Sequence, residues 1–159
     1  MSLALTLRTA TARPLAGDDA AILQALLVRS AAYFRGADGR APSKHAALER
    51  ISDALGDAQV ALIGLFRGES LVGFLELRLD EPREHDATIV LLLLEPAERR
   101  KGLGREVVEA LVSSLSKAGT RAIHLGVQDH EHGARAFWEA QGFVDDGRDE
   151  GVTRFVRKL

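Results

Sequence analysis

The stretch LLLLEPAERRKGLGREVVEALVSSL, residues 91–115, carries the pattern from which the fold of this chain can be inferred. Its leucines end an apolar run that begins at Thr88 and shows no alternation, which is typical of a strand buried on both faces within a sheet. Pro96 stops that strand, and apolar residues at helical spacing predict a helix from Gly102 to about Lys117. The sequence therefore places a basic turn with two glycines between a central strand and a helix.

The residues before this stretch predict a strand, two helices and a hairpin. Apolar and β-branched residues predict the strand over 3–15, and Asp18 or Asp19 can cap a helix that runs to residue 34. A glycine-rich loop over 35–42 leads to a second helix, which Ser43 can cap. Two further apolar runs flank RGES and predict a β-hairpin.

The residues after the stretch complete an α/β pattern. RAIHLGV, residues 121–127, predicts a strand, Asp129 can cap a last helix, and GFVDDG and VTRFVRKL predict two closing strands. The predicted order is β-α-α-β-β-β-α-β-α-β-β. No linker, repeat or low-complexity segment divides it, so a single domain over 1–159 is expected.

Composition narrows the classes of function. The net charge is 21 − 23 = −2, which gives no reason to expect binding to nucleic acid or to an anionic membrane. The chain has no cysteine, which removes disulfides, thiolate nucleophiles and thiolate metal sites. No apolar run approaches the roughly 20 residues that span a bilayer, and the first residues lack the pattern of a signal peptide. A cytoplasmic protein without a membrane-spanning segment is expected.

The glycine turn has the features of an anion site. The first turn of a helix exposes backbone N–H groups that have no partner within the helix, and the helix dipole adds partial positive charge there. Gly102 and Gly104 remove side chains near that turn, while basic side chains around them suit phosphate oxygens: Arg99, Arg100, Lys101 and Arg105. A solvated basic turn with glycines as punctuation is an equally good reading of these features alone. The pattern lacks the Lys-Ser/Thr of a P-loop and the third glycine of a dinucleotide-binding motif.

The stretch resembles the acetyl-CoA-binding segment of the GNAT N-acetyltransferase superfamily, where Arg/Gln-x-x-Gly-x-Gly/Ala joins a hydrophobic strand to an amphipathic helix. Here the motif reads RRKGLG, residues 99–104. EHGARAFWEAQGF, residues 131–143, is similar to the later helix of that family, which ends with an aromatic pair, three residues and Gly-Phe. The order of predicted elements also matches. The resemblance implies a mixed, mostly antiparallel central sheet with helices on both faces.

The resemblance also implies how acetyl-CoA would bind as co-substrate. The strand that carries the leucines would part from the next strand, and pantetheine would pair with backbone groups near Leu92 and Leu94. The pyrophosphate would lie on the amides of residues 100–105, which include Leu103. A backbone N–H near Leu93 or Leu94 could stabilise the developing oxyanion.

The catalytic groups are less defined by the resemblance. The family often protonates the leaving thiolate with a tyrosine, and the aligned residue here is Trp138, whose indole N–H is far too weak an acid. Glu131 stands where the family commonly has asparagine. The only tyrosine, Tyr33, is far from that helix in sequence, and a packed aromatic residue is the more common role.

A base is needed because an alkylammonium with a pKa of about 10 is not a nucleophile. Glu76 shares a predicted strand face with Val72 and Phe74, and burial there would raise its pKa; an ion pair with Arg78 is an equally good reading. Glu95 ends the cofactor strand; it could act through water or serve only to cap the loop. A structural role is expected for His124, and a solvated helix cap rather than a metal site for the sequence DHEH over 129–132.

The first two helices and the loop between them are expected to select the acceptor, through Tyr33, Phe34 and Arg35. Arginines there suit an acceptor that carries a carboxylate, whereas a polyamine would need more acids than Asp38.

The predicted function is transfer of acetyl to a primary amine of a small molecule or peptide, without a metal. The alternative is a non-catalytic acyl-CoA-binding or regulatory domain. A nucleic-acid module would need an extended basic face. The two closing strands provide edges for a homodimer.

Overall fold

The computed structural model describes residues 3–159; the first two residues of the expected 1–159 domain lie outside it. Within these residues the chain forms seven strands and five α-helices, with a single-turn 3-10 helix before the first α-helix and another before the fourth. The strands are β1 (Thr11–Pro14), β2 (Val60–Arg67), β3 (Ser70–Leu79), β4 (Asp86–Leu94), β5 (Ala122–Gln128), β6 (Val144–Asp149) and β7 (Val152–Lys158). The helices are α1 (Ala20–Arg29), α2 (Ala31–Asp38), α3 (Ala46–Gly56), α4 (Leu103–Lys117) and α5 (His132–Ala140).

All seven strands form one sheet in the order β1-β2-β3-β4-β5-β7-β6. Every pairing is antiparallel except that between β4 and β5, which is parallel. The mixed, mostly antiparallel sheet and the central position of β4 are therefore confirmed.

Helices cover both faces of the sheet. On one face α1, α2 and α3 pack around Phe74 and Leu93 in a buried apolar cluster. On the other face α4 and the end of α5 pack against strand residues such as Leu75 and Ile123. The two clusters share the sheet as their common wall.

The helix predicted through residue 34 is divided in the structure. Ser30 leaves helical geometry at φ −101° and ψ 18°, so α1 ends at Arg29 and α2 begins at Ala31. Helix α2 then runs to Asp38, which takes up half of the loop predicted over 35–42. Gly39 ends it in the left-handed region at φ 76°, a conformation that glycine adopts without strain.

The first strand and the last helix also begin later than predicted. Only Thr11–Pro14 pairs with β2, because the residues just before them bind helix α4 instead. Helix α5 begins at His132, with Glu131 at its N-cap, so the predicted cap by Asp129 is wrong. The carboxylate of Asp129 instead forms an ion pair with Arg148.

A β-bulge in β4 sets the geometry of the sheet centre. Glu76 pairs with Leu91 but Leu77 pairs with Ile89, so Val90 is an extra residue in β4. A bulge bends its strand and increases the local twist. Before the bulge, residues 86–88 pair with 122–124 of β5; beyond residue 88 the register between these strands ends. The two strands therefore part along the C-terminal half of β4.

Glu106 fastens the segment before β1 to the first turn of α4. Its buried carboxylate accepts hydrogen bonds from Thr9 Oγ1 at 2.8 Å, from the Thr9 amide at 3.1 Å and from the Arg8 amide. Burial acts to raise the pKa of Glu106, but these hydrogen bonds outweigh burial and hold the pKa below its ordinary value. The ionised carboxylate therefore stabilises the folded chain.

We expect Glu106→Gln to lower the free energy of unfolding by about 1–3 kcal/mol near neutral pH, because buried donors lose a charged acceptor. A folded-state pKa below the unfolded value gives stability that is complete above the unfolded pKa and is lost as pH falls through the folded pKa. The difference between wild type and variant should therefore shrink below about pH 4. Urea unfolding across pH measures this. Glu109→Gln on the exposed side of α4 is the control, and an equal difference at all pH values would contradict the assignment.

Candidate active site

A cleft of about 900 Å³ opens where β4 and β5 part. Four elements contribute its walls: the end of β4, the turn into α4, the start of α5 and helix α2. The lining residues are Tyr33, Leu92, Leu93, Leu94, Glu98, Arg99, Arg100, Gly102, Gly104, Arg105, His130, Glu131, His132, Gly133, Ala134, Phe137, Trp138 and Gln141. The structure therefore brings the leucine strand, the glycine turn and the aromatic pair of α5 into one site.

The turn before α4 forms a concave row of backbone N–H groups. Arg100 and Gly102 both lie in the left-handed region, at φ 63° and 84°. The first helical hydrogen bond of α4 runs from Glu106 N to Gly102 O, so the amides of residues 103–105 have no partner within the helix. Turns with left-handed residues beside a helix N-terminus can form an anion-binding concavity of backbone N–H groups, called a nest. Residues 100–105 have these features and are called the nest below.

The two glycines of the turn serve different purposes. A side chain on Gly102 would meet nothing within 4 Å, so its positive φ is what favours glycine there. A Cβ on Gly104 would lie 3.2 Å from two ring carbons of Phe137 and 3.4 Å from Leu94 Cδ1. Gly104 therefore lets α5 and β4 approach α4, in addition to lining the cleft.

The basic residues of the turn differ in where they lie. Arg99, Arg100 and Arg105 line the cleft, whereas Lys101 does not. Arg105 also forms an ion pair with Glu109 one helical turn later, at 2.9 Å. Leu103, which sequence placed with the cofactor residues, has its side chain in the core at 1% exposure, so only its amide faces the nest. The basic end of the cleft thus rests on the arginines and the amides.

Trp138 occupies the inner wall of the cleft. Its ring packs edge-to-face on Phe137 at 4.9 Å and on Phe143 at 5.2 Å between centroids, and the residue is 8% exposed. These contacts fix the indole between the core of α5 and the cleft. Trp138 is also the only tryptophan of the chain, which makes its fluorescence specific to this site.

Glu76 lies outside this cleft, in a neighbouring cavity of about 600 Å³ between α2, α3 and the hairpin strands. It forms an ion pair with Arg50 Nη1 at 2.8 Å, and not with Arg78. The Arg50 guanidinium also lies over the rings of Phe34 and Phe74, at 5.9 and 5.5 Å from their centroids. Val72, which sequence placed on the same strand face as Glu76, is instead the extra residue of a bulge in β3. Its side chain packs in the apolar cluster on the other face of the sheet.

Two other carboxylates near the end of β4 are also paired. Glu95 binds Arg29 of α1 at 3.0 Å and is absent from the cleft lining. Glu98 lines the cleft, but its side chain is 8% exposed and binds Arg67 at 2.7 Å. Sequence reasoning did not single out Glu98, since a glutamate in a loop carries no pattern that reveals a buried partner.

The three residues expected to select the acceptor are separated by the geometry of α2. Tyr33 lines the cleft, and its ring packs edge-to-face on Phe34 at 5.1 Å between centroids. Phe34 is 4% exposed and lines the neighbouring cavity, whereas Arg35 lines neither. Burial, followed by the charges of Glu131 and Asp38, raises the pKa of Tyr33 above its ordinary value. Tyr33 therefore stays protonated at neutral pH.

The histidines lie in two places. His124 binds the buried carboxylate of Asp86 at 2.7 Å, at the far end of the β4–β5 pair, which suits the structural role expected for it. His130 and His132 line the cleft on either side of Glu131, where sequence predicted only a solvated cap. Within residues 3–159 no group of three or more His, Cys, Asp or Glu side chains could hold a metal ion, and no helix is long and apolar enough to cross a membrane.

Comparison with known proteins agrees with this architecture. Residues 25–143 match the model of the acetyltransferase (GNAT) family. An acetyltransferase from Thermus thermophilus is 31% identical, with a TM-score of 0.86 over 96% of this chain and 99% of that one. The PaiA N-acetyltransferase from Thermoplasma acidophilum, solved in complex with coenzyme A, is 20% identical and shares the fold, with a TM-score of 0.78 over 96% of this chain and 100% of that one.

One curated relative has a described acceptor. The chain is 30% identical over 78 residues to the ribosomal protein bS18-alanine N-acetyltransferase of Escherichia coli (strain K12). That alignment covers 42% of this chain and 53% of the relative, so the chain spans about half the length of the curated relatives it matches.

Tyr33 offers a direct test of the electrostatics, because it is the only tyrosine and tyrosinate absorbs in the ultraviolet. We expect Glu131→Gln to lower the pKa of Tyr33, since removal of a nearby negative charge favours the phenolate. Spectrophotometric titration of wild type and variant measures the shift. Glu69→Gln, in the turn between β2 and β3, should leave the titration unchanged. An unchanged pKa in Glu131→Gln would place that carboxylate away from the phenol.

Proposed function

This chain belongs to the acetyltransferase (GNAT) family, and from that premise we propose that it transfers the acetyl group of acetyl-CoA to a primary amine of a small molecule or peptide, by direct transfer in a ternary complex. The observation that supports this most is the cleft between the parted strands β4 and β5, which has an anion nest at one end and an open acceptor wall at the other. The coenzyme A bound by the PaiA relative and the alanine acetylated by the Escherichia coli relative belong to the same chemistry.

The proposed cofactor contacts follow from the strand geometry. Beyond residue 88 the edge of β4 that faces β5 has no strand partner, so backbone groups of Leu92 and Leu94 are available to the amides of pantetheine. The nest over residues 100–105 would hold the pyrophosphate, with Arg99 and Arg100 on its oxygens. Binding in this way places the thioester near the middle of the parted strands.

The transfer needs a base, an oxyanion donor and an exit for the thiolate. A backbone N–H near Leu93 or Leu94 is the proposed donor to the oxyanion, because it is fixed in β4 before reaction begins. Trp138 is proposed to pack against the pantetheine and to offer its indole N–H as a hydrogen-bond donor, without releasing a proton. Glu76 and Glu95 stay predictions as bases; each would have to act from an ion pair outside the cleft lining.

The acceptor is proposed to enter past α2. Tyr33 is the α2 side chain in the cleft lining, and Phe34 packs behind it, so these two residues would shape the acceptor wall. Arg35 is the next residue of α2 and is exposed, and we propose that it meets a carboxylate of an amino-acid-like or peptide acceptor. A cytoplasmic location is part of the proposal, because acetyl-CoA is the donor.

A matched pair of charge reversals tests whether the nest binds CoA. Arg100→Glu and Lys101→Glu change the net charge equally at neighbouring positions, but only Arg100 lines the cleft. We expect Arg100→Glu to raise the Kd for CoA at least about tenfold, because it replaces a charge-assisted contact with repulsion. Lys101→Glu should act only at longer range, with a several-fold smaller loss that added salt removes. Trp138 fluorescence follows the binding of CoA. An equal loss of CoA affinity in both variants would refute a specific contact between Arg100 and the phosphates.

Acetyl transfer can be followed through the thiol of released CoA. The chain has no cysteine, so a thiol reagent reports only that product. With acetyl-CoA and a panel of amino acids, small amines and N-terminal peptides, we expect release that depends on the amine, and stabilisation against heat by CoA but not by ATP. Selective binding of CoA species without release by any amine would instead support the non-catalytic domain suggested by Trp138 at the usual tyrosine position.

A further inference from the structure

The carboxylates available to remove a proton from the acceptor differ in what holds them. Glu76 is bound by Arg50, Glu95 by Arg29 and Glu98 by Arg67, each at 3.0 Å or less. A carboxylate in such a pair must break a charge-assisted contact before it can accept a proton. Glu131 differs: it lines the cleft, and none of the ion pairs formed within residues 3–159 includes it.

The backbone of Glu131 is fixed in place. Its amide donates to Gln128 O at 2.9 Å, and its carbonyl accepts from Arg135 N at 3.1 Å in the first turn of α5. The residue is therefore the N-cap of a nine-residue helix, where the helix dipole favours a negative charge.

Glu131 lies opposite helix α2 across the cleft. Gln128 Nε2 donates to Ala37 O at 3.1 Å, and a Cβ on Gly36 would lie 3.7 Å from His130 Nε2, so the loop before α5 packs against α2. Among the charges that act on Tyr33, that of Glu131 contributes most to its raised pKa. Because Tyr33 and Glu131 both line the cleft and their elements pack together, the two residues lie on adjoining walls of it.

We propose that Glu131 is the general base of the transfer, taking a proton from the acceptor ammonium between the start of α5 and Tyr33 of α2. This assignment rests on the proposed function and names the residue that function requires. An acceptor that enters past α2 meets β4 on one side and Glu131 on the other, so the amine reaches the thioester and the carboxylate together. The negative charge of Glu131 also attracts a cationic amine to this end of the cleft.

The Glu131 carboxylate takes one proton from the ammonium and passes it to solvent at the open mouth of the cleft. The neutral amine attacks the thioester carbonyl, a C–N bond forms and the C–S bond breaks. The second proton of the amine leaves in that collapse and ends on the sulfur of CoA. Tyr33, whose raised pKa keeps its hydroxyl protonated, lines the cleft beside the acceptor and releases no proton.

Other charged groups around Glu131 set its environment. Helix α2 contributes Tyr33 and Asp38, α3 contributes Arg50 near the phenol, and the loop itself contributes His130 and His132. Asp38 carries the same sign as Glu131, and Arg50 is already paired with Glu76. The arginines of the nest line the opposite end of the cleft. The two histidines also line the cleft and are the competing bases.

The test is the pH dependence of kcat in wild type, Glu131→Gln, Glu131→Asp and the control Glu69→Gln, with CoA affinity from Trp138 fluorescence. We expect Glu131→Gln to lower kcat at neutral pH about 100-fold or more and to leave the CoA Kd within about twofold. Its rate should rise about tenfold per pH unit, as the free amine does, because only solvent then removes the proton. Glu131→Asp should restore part of the rate, since it keeps a carboxylate.

Each other outcome overturns the assignment in a distinct way. An active wild type and an equally active Glu131→Gln, with the same pH profile, would reject Glu131 alone. If Glu131→Gln keeps the wild-type pH dependence of kcat and one other variant loses it, that other residue is the base. The variants to compare are Glu76→Gln, Glu95→Gln, His130→Asn and His132→Asn. A wild type that releases no CoA with any amine would reject the proposed function, and the base assignment with it.

Discussion

The extra residue at Val90 is the constraint on which the site depends. Hydrogen bonding between β4 and β5 holds the sheet together through residue 88, and the bulge then turns β4 away from its parallel neighbour. A sheet that stayed paired to residue 94 would have no gap and no unpaired backbone edge. Helices α4 and α5 line the gap on one face of the sheet, and α2 borders it on the other face. The cleft is therefore a consequence of strand geometry, with side chains only finishing its walls.

The N-terminus of α4 combines binding and structural roles within a few residues. Gly102 supplies the left-handed turn that aims the amides, Gly104 admits the ring of Phe137, and Glu106 holds the segment before β1. Because these contacts reach β1, β4 and α5, the nest is fixed from three sides before any ligand binds. Preorganised donors of this kind do not have to be ordered when a phosphate arrives, which is the condition for tight anion binding. The same coupling means that substitutions in this turn disturb packing and binding together.

Sequence patterns predicted the strands of the sheet, the position of β4 and the glycine turn, because each depends on local periodicity and on residues that favour particular backbone angles. The sequence did not predict the division of the first helix at Ser30, because a serine within an apolar helical pattern does not by itself indicate the end of a helix. The partner of Glu76 was also missed: Arg50 is 26 residues away and on another element, so no spacing along the strand points to it. Likewise DHEH looked like a solvated cap because only the fold brings it opposite Tyr33. Local signals define elements, whereas ion pairs and facing side chains depend on the assembled fold.

The distribution of charge within the cleft gives it a direction despite the small net charge of −2. Arginines and amides without helical partners lie at the α4 end, while Glu131 lines the cleft together with Tyr33 of α2. A low-dielectric cleft strengthens both fields relative to the surrounding solvent. A ligand that is anionic at one end would be oriented by this field, and a cationic acceptor would be drawn to the end that the anionic ligand leaves open. In the proposed transfer, charge would therefore favour opposite ends of the cleft for the two substrates before any specific contact to the acceptor forms.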